Sequence, residues 1–261
     1  MVTQSRRQNY AKEIIGLLYE GGMIKTWVKD KPDGWILVSK LWSPFYIQLR
    51  SLGSKPNSEI LLRKIGIAMG ELIKTEAPNV NKTVGVMMAG IPIATAITIC
   101  SGIPSCCARK LDGIKTSEEF DEKILEFDKD LKKYGEHSLI EGDFSNGDNI
   151  LIIDDLVTQF DSKLVTQKQI YYEANKRGID VNCNEAAVLL DREQGASEIA
   201  IKNGMKLHSL IRFKSEGIDL LKGKISDLEY NIIKDYLERP QKYQDKTLQE
   251  ELASLCSKKG V

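Results

Sequence analysis

Residues 149–157 read Asn-Ile-Leu-Ile-Ile-Asp-Asp-Leu-Val. Successive side chains of a β-strand point to opposite faces, so four apolar residues in a row need cover on both sides. Strands of that kind belong to parallel sheets layered between helices. This one ends on two adjacent carboxylates, which are rarely buried without a partner or a task. Its carboxyl end is therefore where chemistry is expected.

The pattern repeats along the chain. TVGVMMAG (83–90), PSCCARK (104–110), NCNEAAVLLDR (182–192) and KLHSLIRF (206–213) read as further strands. Helical periodicity fills the gaps: 58–75 with Ser58 as N-cap, 91–102 opened near Pro92 and closed at Gly102, 162–178 and 195–204. Residues 8–22 form a first helix stopped by Gly21-Gly22, and WILVSK (35–40) a short strand before the aromatic segment LWSPFYIQLR. From about 217 the chain is helical and charged, fading after Pro240. Such alternation predicts an α/β fold whose central, mostly parallel sheet is flanked by helices. We read 1–261 as one domain, with its core at about 10–215 and a tail at about 217–261. Ligands of such folds bind at the carboxyl ends of strands. Those ends carry Ala89-Gly90, Arg109-Lys110, Asp154-Asp155 and Asp191-Arg192.

Composition removes several classes of function. Lysine plus arginine equals aspartate plus glutamate, 37 each, so no global charge favours nucleic acid or a membrane surface. The five cysteines show no paired CxxC spacing, and two histidines are too few for a histidine metal cluster. No apolar run reaches membrane-spanning length. The N-terminus lacks the apolar core of a signal peptide. These features point to a cytoplasmic, reduced protein.

Two carboxylates on a strand end, a short loop and a helix with free first amides suit a sugar phosphate. Carboxylates hold vicinal hydroxyls, and the amides hold the phosphate. The plainer reading is an ordinary strand-to-helix turn with a solvated aspartate.

Ile152-Ile153-Asp154-Asp155-Leu156-Val157-Thr158 resembles the phosphoribosyl pyrophosphate (PRPP) signature of type I phosphoribosyltransferases. Within that group the chain most resembles the orotate phosphoribosyltransferases. The matches run in order: SKLWSPFY (39–46), MAGIPIATAI (88–97), ARK (108–110), KKYGEHSLIEG (132–142) and VLLDREQGASE (188–198). The resemblance implies a type I phosphoribosyltransferase fold with a small hood built from N-terminal and C-terminal segments. It also implies transfer of phosphoribosyl from PRPP to orotate, with another nucleobase or PRPP/nucleotide binding without catalysis as the alternatives, Mg2+ carried by PRPP, and a homodimer.

Residue by residue, Asp154 and Asp155 match the ribose-binding acids, and Asp155 is also a candidate to favour the positive charge that develops on the ribose. Arg109 and Lys110 match the pyrophosphate-binding cations. Leu156, Val157, Thr158, Gln159, Phe160, Asp161 and Ser162 occupy the PRPP loop. Lys132 aligns with the lysine of the mobile catalytic loop, with Lys133 as the alternative, and Tyr134 stands where histidine is common. Phe45 and Tyr46 match aromatics that pack on the base, or are core residues. Arg192 matches the arginine that grips orotate, or pairs with Asp191 or Glu193.

Three departures qualify the resemblance. The PRPP loop has no glycine, and Asp161 either caps the next helix or opposes phosphate. Val38 replaces a lysine of the aromatic segment, with Lys40 on the same face if that strand continues. Residues 111–131 are a longer segment than usual, expected as a surface helical insertion.

Overall fold

A computed structural model describes residues 4–37, 40–132 and 137–257. The chain opens with α1 (Gln4–Glu20), whose Ile14, Ile15 and Leu18 are fully buried. Four short strands follow: β1 (Ile24–Thr26), β2 (Trp35–Ile36), β3 (Trp42–Ser43) and β4 (Phe45–Ile47). They pair antiparallel as β1 with β4 and β2 with β3. The strand expected over 35–40 stops at Ile36. Leu37 and Leu41 are joined amide to carbonyl, and Lys40 has a φ of 64°, so the chain turns here. Lys40 therefore does not continue a strand face, and Val38 lies outside the described residues.

α2 (Ser58–Glu76) comes next. Its N-cap is Asn57, not Ser58, and Ser58 instead donates its hydroxyl to the Lys55 carbonyl at 2.6 Å. Beyond it run β5 (Lys82–Gly85), α3 (Gly90–Ser101), β6 (Ser105–Ala108), α4 (Ser117–Lys132), β7 (Ile140–Glu141), β8 (Asn149–Val157), α5 (Asp161–Lys176), β9 (Asn182–Asp191), α6 (Ala196–Lys202) and β10 (Lys206–Arg212). The strand expected at 83–90 ends at Gly85, because α3 already begins at Gly90. Gly102, at φ 79°, closes α3 as expected.

The six-stranded central sheet has the order β10-β9-β8-β5-β6-β7. All its pairings are parallel except β6 with the edge strand β7. β8 lies inside the sheet, which explains its unbroken apolar run: Ile150 to Ile153 are all buried.

The C-terminal segment continues past the expected fade. α7 (Asp227–Glu238) opens with a Ser226–Glu229 capping box, and α8 (Lys246–Ser257) is capped by the Asp245 carboxylate, which accepts from Thr247 and Leu248. These elements meet the N-terminal strands. Trp42 stacks on Tyr243, Phe45 meets Tyr236 edge-on, and Gln244 accepts from the Trp42 amide at 2.8 Å. The hood is thus built from both chain ends, and Ile233, Tyr236, Tyr243 and Leu252 share one core cluster with Ile14 and Phe45. The segment 111–131 forms α4 and a small cluster of its own, in which Leu111, Ile114, Phe120 and Ile124 pack on Val165 of α5. Among the described residues no helix is long and apolar enough to cross a membrane.

Candidate active site

The acid pair sits at the carboxyl end of β8, where the sequence placed it. α3 closes on this point because residue 90 is glycine. A Cβ there would stand 2.4 Å from the Ile153 carbonyl oxygen. The amide of Val86 also donates to that carbonyl at 2.8 Å.

The two acids are used differently. Asp154 is buried, and its Oδ2 accepts from Lys163 Nζ at 2.6 Å while Oδ1 accepts from the Asp155 amide at 2.9 Å. Asp155 is half-buried, with Oδ1 taking the Leu156 amide at 2.8 Å. Burial raises the Asp155 carboxyl to about 7, helped by the neighbouring Asp154 charge and opposed by Lys163.

Residues 158–162 link this strand end to α5. None of them has a positive φ, so this path does not require glycine. Phe160, the N-cap residue, is fully buried among Val157, Ile170 and other core residues. The N-cap residue makes no side-chain cap, and Asp161 is the first residue of α5. It lines a cavity of about 390 Å³ together with Thr158, Gln159, Ser162, Arg109, Lys110 and Lys115. Asp161 thus lines the same cavity as three cationic residues.

Arg109 and Lys110 follow β6. Arg109 Nε donates to the Ser138 carbonyl at 3.2 Å and its Nη2 pairs with Glu141. Lys110 Nζ meets Asp112 at 3.1 Å on the surface. The loop expected around Lys132 and Tyr134 cannot be placed beside them: Tyr134 lies outside the described residues, as does the Lys132 side chain.

A second group forms where β9 ends. Arg192 is 8% exposed, and its guanidinium lies 5.3 Å from the centre of the Phe45 ring. Its Nε and Nη2 are buried without a hydrogen-bond partner. Burial lowers its pKa, partly opposed by Tyr236 and Tyr46 nearby. The alternative pairing with Asp191 or Glu193 does not form: Asp191 accepts the Glu193 amide, and Glu193 accepts the Ser215 amide. Phe45 is a core residue, packed on Phe213 and Tyr236. Tyr46 is half-buried and stacks on Trp35 at 6.0 Å.

Lys163 and Lys115 escaped the sequence reading. For Lys163 a signal existed. It shares a helical face with Ile170 and Ala174, both buried, and a lysine on such a face needs an acid. Lys115 lies in a segment with no motif to mark it.

No family model matches the chain. Among curated proteins, uridine 5′-monophosphate synthase of Bos taurus is 30% identical over 180 residues, covering 69% of this chain and 32% of that protein. The chain thus spans about a third of that relative's length. Orotate phosphoribosyltransferase of Pyrococcus abyssi is 28% identical over 204 residues, covering 77% of this chain and 91% of the relative. Among solved structures, UMP synthase of Leishmania donovani superposes with a TM-score of 0.60 at 19% identity, over 88% of this chain and 42% of that one. Orotate phosphoribosyltransferase of Francisella tularensis gives 0.56 at 17% identity, over 88% and 95%. The protein therefore has the type I phosphoribosyltransferase fold, and its sequence resembles the orotate phosphoribosyltransferases over 77% of its length.

Proposed function

We propose that the protein is an orotate phosphoribosyltransferase, forming orotidine 5′-monophosphate and diphosphate from orotate and PRPP. The observation that carries the choice of base is Arg192. A buried guanidinium with two unpartnered N–H donors calls for an anion, and its planar fork suits a carboxylate. Orotate carries a carboxylate on its pyrimidine ring; uracil, hypoxanthine and adenine do not.

In this reading N1 of orotate bonds to C1 of the ribose as the C1–O bond to diphosphate breaks; diphosphate leaves with the electron pair, and the proton released from N1 passes to the departing diphosphate. Asp155 at the end of β8 stabilises the positive charge on the ribose ring, an electrostatic contribution. Cations of the cavity, Arg109 and Lys110 with Lys115 beside them, are suited to the phosphates. The free first amides of α5 add donors. Lys132 and Tyr134 are proposed to close over the reacting atoms.

Magnesium enters as an ion carried on the PRPP oxygens. Mg2+ is commonly held through substrate phosphates.

A homodimer fits the apolar groove between α2 and α3, lined by Leu62, Ile67, Ile91, Pro92 and Ile99, with Ile99 78% exposed. A cytoplasmic location belongs to the same reading.

The test is PRPP-dependent release of diphosphate with orotate, uracil, hypoxanthine and adenine in parallel, with magnesium present. Turnover confined to orotate is expected. Turnover of uracil without orotate would overturn the choice of base. PRPP binding without turnover of any base would leave a binding protein.

A further inference from the structure

We propose that Lys163 is a positioning residue for phosphoribosyl transfer. It takes Asp154 out of ligand binding, fixes residues 158–162 between strand and helix, and leaves Asp155 as the acid that meets the ribose. The inference rests on the phosphoribosyltransferase reading and departs from the expectation that both acids bind the sugar.

The geometry is specific. Lys163 is 2% exposed, and its ammonium reaches three acceptors: Asp154 Oδ2 at 2.6 Å, the Leu156 carbonyl at 2.9 Å and Ser162 Oγ at 3.2 Å. An ammonium has three donors, so its capacity is used. Asp154 is held on both oxygens, the second accepting the Asp155 amide, and at 7% exposed it offers a ligand little surface. A buried ion pair is held by mutual need, because removing either partner strands the other charge. This pair joins the end of β8 to the first turn of α5, and the loop spans the gap between them. With no glycine and no positive φ in that loop, its shape depends on such anchors. Asp155, half-buried beside the pair, is the acid left exposed enough to meet a ligand.

The experiment compares Lys163→Met, Lys163→Arg, Asp154→Asn and the double variant K163M/D154N. Steady-state kinetics with orotate separate KM for PRPP from kcat, and calorimetry reads PRPP binding directly. Lys163→Met is expected to raise KM for PRPP tenfold or more while kcat moves less than threefold. A merely structural role would instead lower the active fraction, and so kcat, without moving KM. Lys163→Arg should recover most of the loss in KM. The double variant should be no worse than Lys163→Met, because the pair acts as one unit. A KM within twofold of wild type in Lys163→Met would overturn the proposal. So would a double-variant loss equal to the product of the single losses, which would mean that Asp154 meets the ligand independently. Should Lys163→Met not fold, the double variant decides, since it buries no lone charge: a tenfold rise in KM supports the proposal and an unchanged KM overturns it. Wild-type protein that binds no PRPP would overturn the functional reading, and this inference with it. Wild-type binding matched by Lys163→Met would overturn this inference alone.

Discussion

Replacing Arg192 by methionine should make the unliganded protein more stable and far less active. The guanidinium is buried with two unpartnered nitrogens, and each such group costs about 1–3 kcal/mol. Its position over the Phe45 ring returns about 0.5–2 kcal/mol. An apolar side chain of similar length keeps the packing and loses both effects, so the net gain lies between about 0 and 5.5 kcal/mol, centred near 3. For a chain of this size each kcal/mol moves the melting temperature by about 2–4 °C. Thermal unfolding without ligand should therefore show Arg192→Met melting several degrees above wild type. The same change removes a charge-assisted contact to the orotate carboxylate, worth about 1.5–3 kcal/mol per hydrogen bond. Two such bonds correspond to a fall in kcat/KM for orotate on the order of a hundredfold or more. Opposite signs for stability and activity mark a group kept for a ligand. A variant that melts below wild type and keeps its KM for orotate would refute the reasoning, because Arg192 would then be a satisfied structural residue.

Three further outcomes follow from the site. Asp161 shares its cavity with Arg109, Lys110 and Lys115, so Asp161→Asn should lower KM for PRPP by about three- to tenfold, a difference of roughly 0.7–1.4 kcal/mol; an unchanged KM would mean that the carboxylate does not oppose phosphate. Gly90→Ala should lower the melting temperature by several degrees and impair turnover, since a Cβ 2.4 Å from a backbone oxygen forces the overpacking that typically costs about 1–3 kcal/mol; a variant as stable as wild type would show that α3 can retreat from β8. Asp155 gains its proton near pH 7, so kcat/KM for PRPP should fall as pH drops through about 7. Because its folded pKa lies above the unfolded one, the native state holds the extra proton between about pH 4 and 7, and stability should decline as pH rises across that window. Asp155→Asn should abolish this slope in the unliganded protein, read by thermal unfolding at several pH values.

Much of the sheet was legible because burial on both faces writes itself as unbroken apolar runs. β8 and β9 fell within a residue of their expected bounds, and the acids, Arg109 and Arg192 all lie at strand ends. Edges and turns were less legible. The strand expected to reach residue 40 ended at Ile36 because Lys40 adopts a positive φ without being glycine, and nothing local announces that. The C-terminal helices looked like a fading tail because they are charged. Two of their buried aromatics, Tyr236 and Tyr243, pack on each other and on Phe45 and Trp42, about 200 positions earlier in the chain. Such long-range packing leaves no periodic trace. α4 is intermediate: a helical insertion was expected there, but its contact with Val165 of α5 was not.

The loop at 158–162 shows how a motif can lose its glycines and keep its place. A glycine cradle obtains its shape from permissive backbone, and so it can close on phosphate when phosphate arrives. Here the shape comes from anchors. Phe160 is sunk in the core, and Lys163 ties the strand end to the first turn of α5. An anchored loop has little freedom to approach its ligand. On the proposed function phosphate would then be met by amides already in position and by side chains that come to it, and Arg109, Lys110 and Lys115 line the cavity. Asp161 tempers their charge. The missing glycines therefore argue for phosphate recognition shifted from backbone to side chains, with the segment that carries Lys115 drawn into the site.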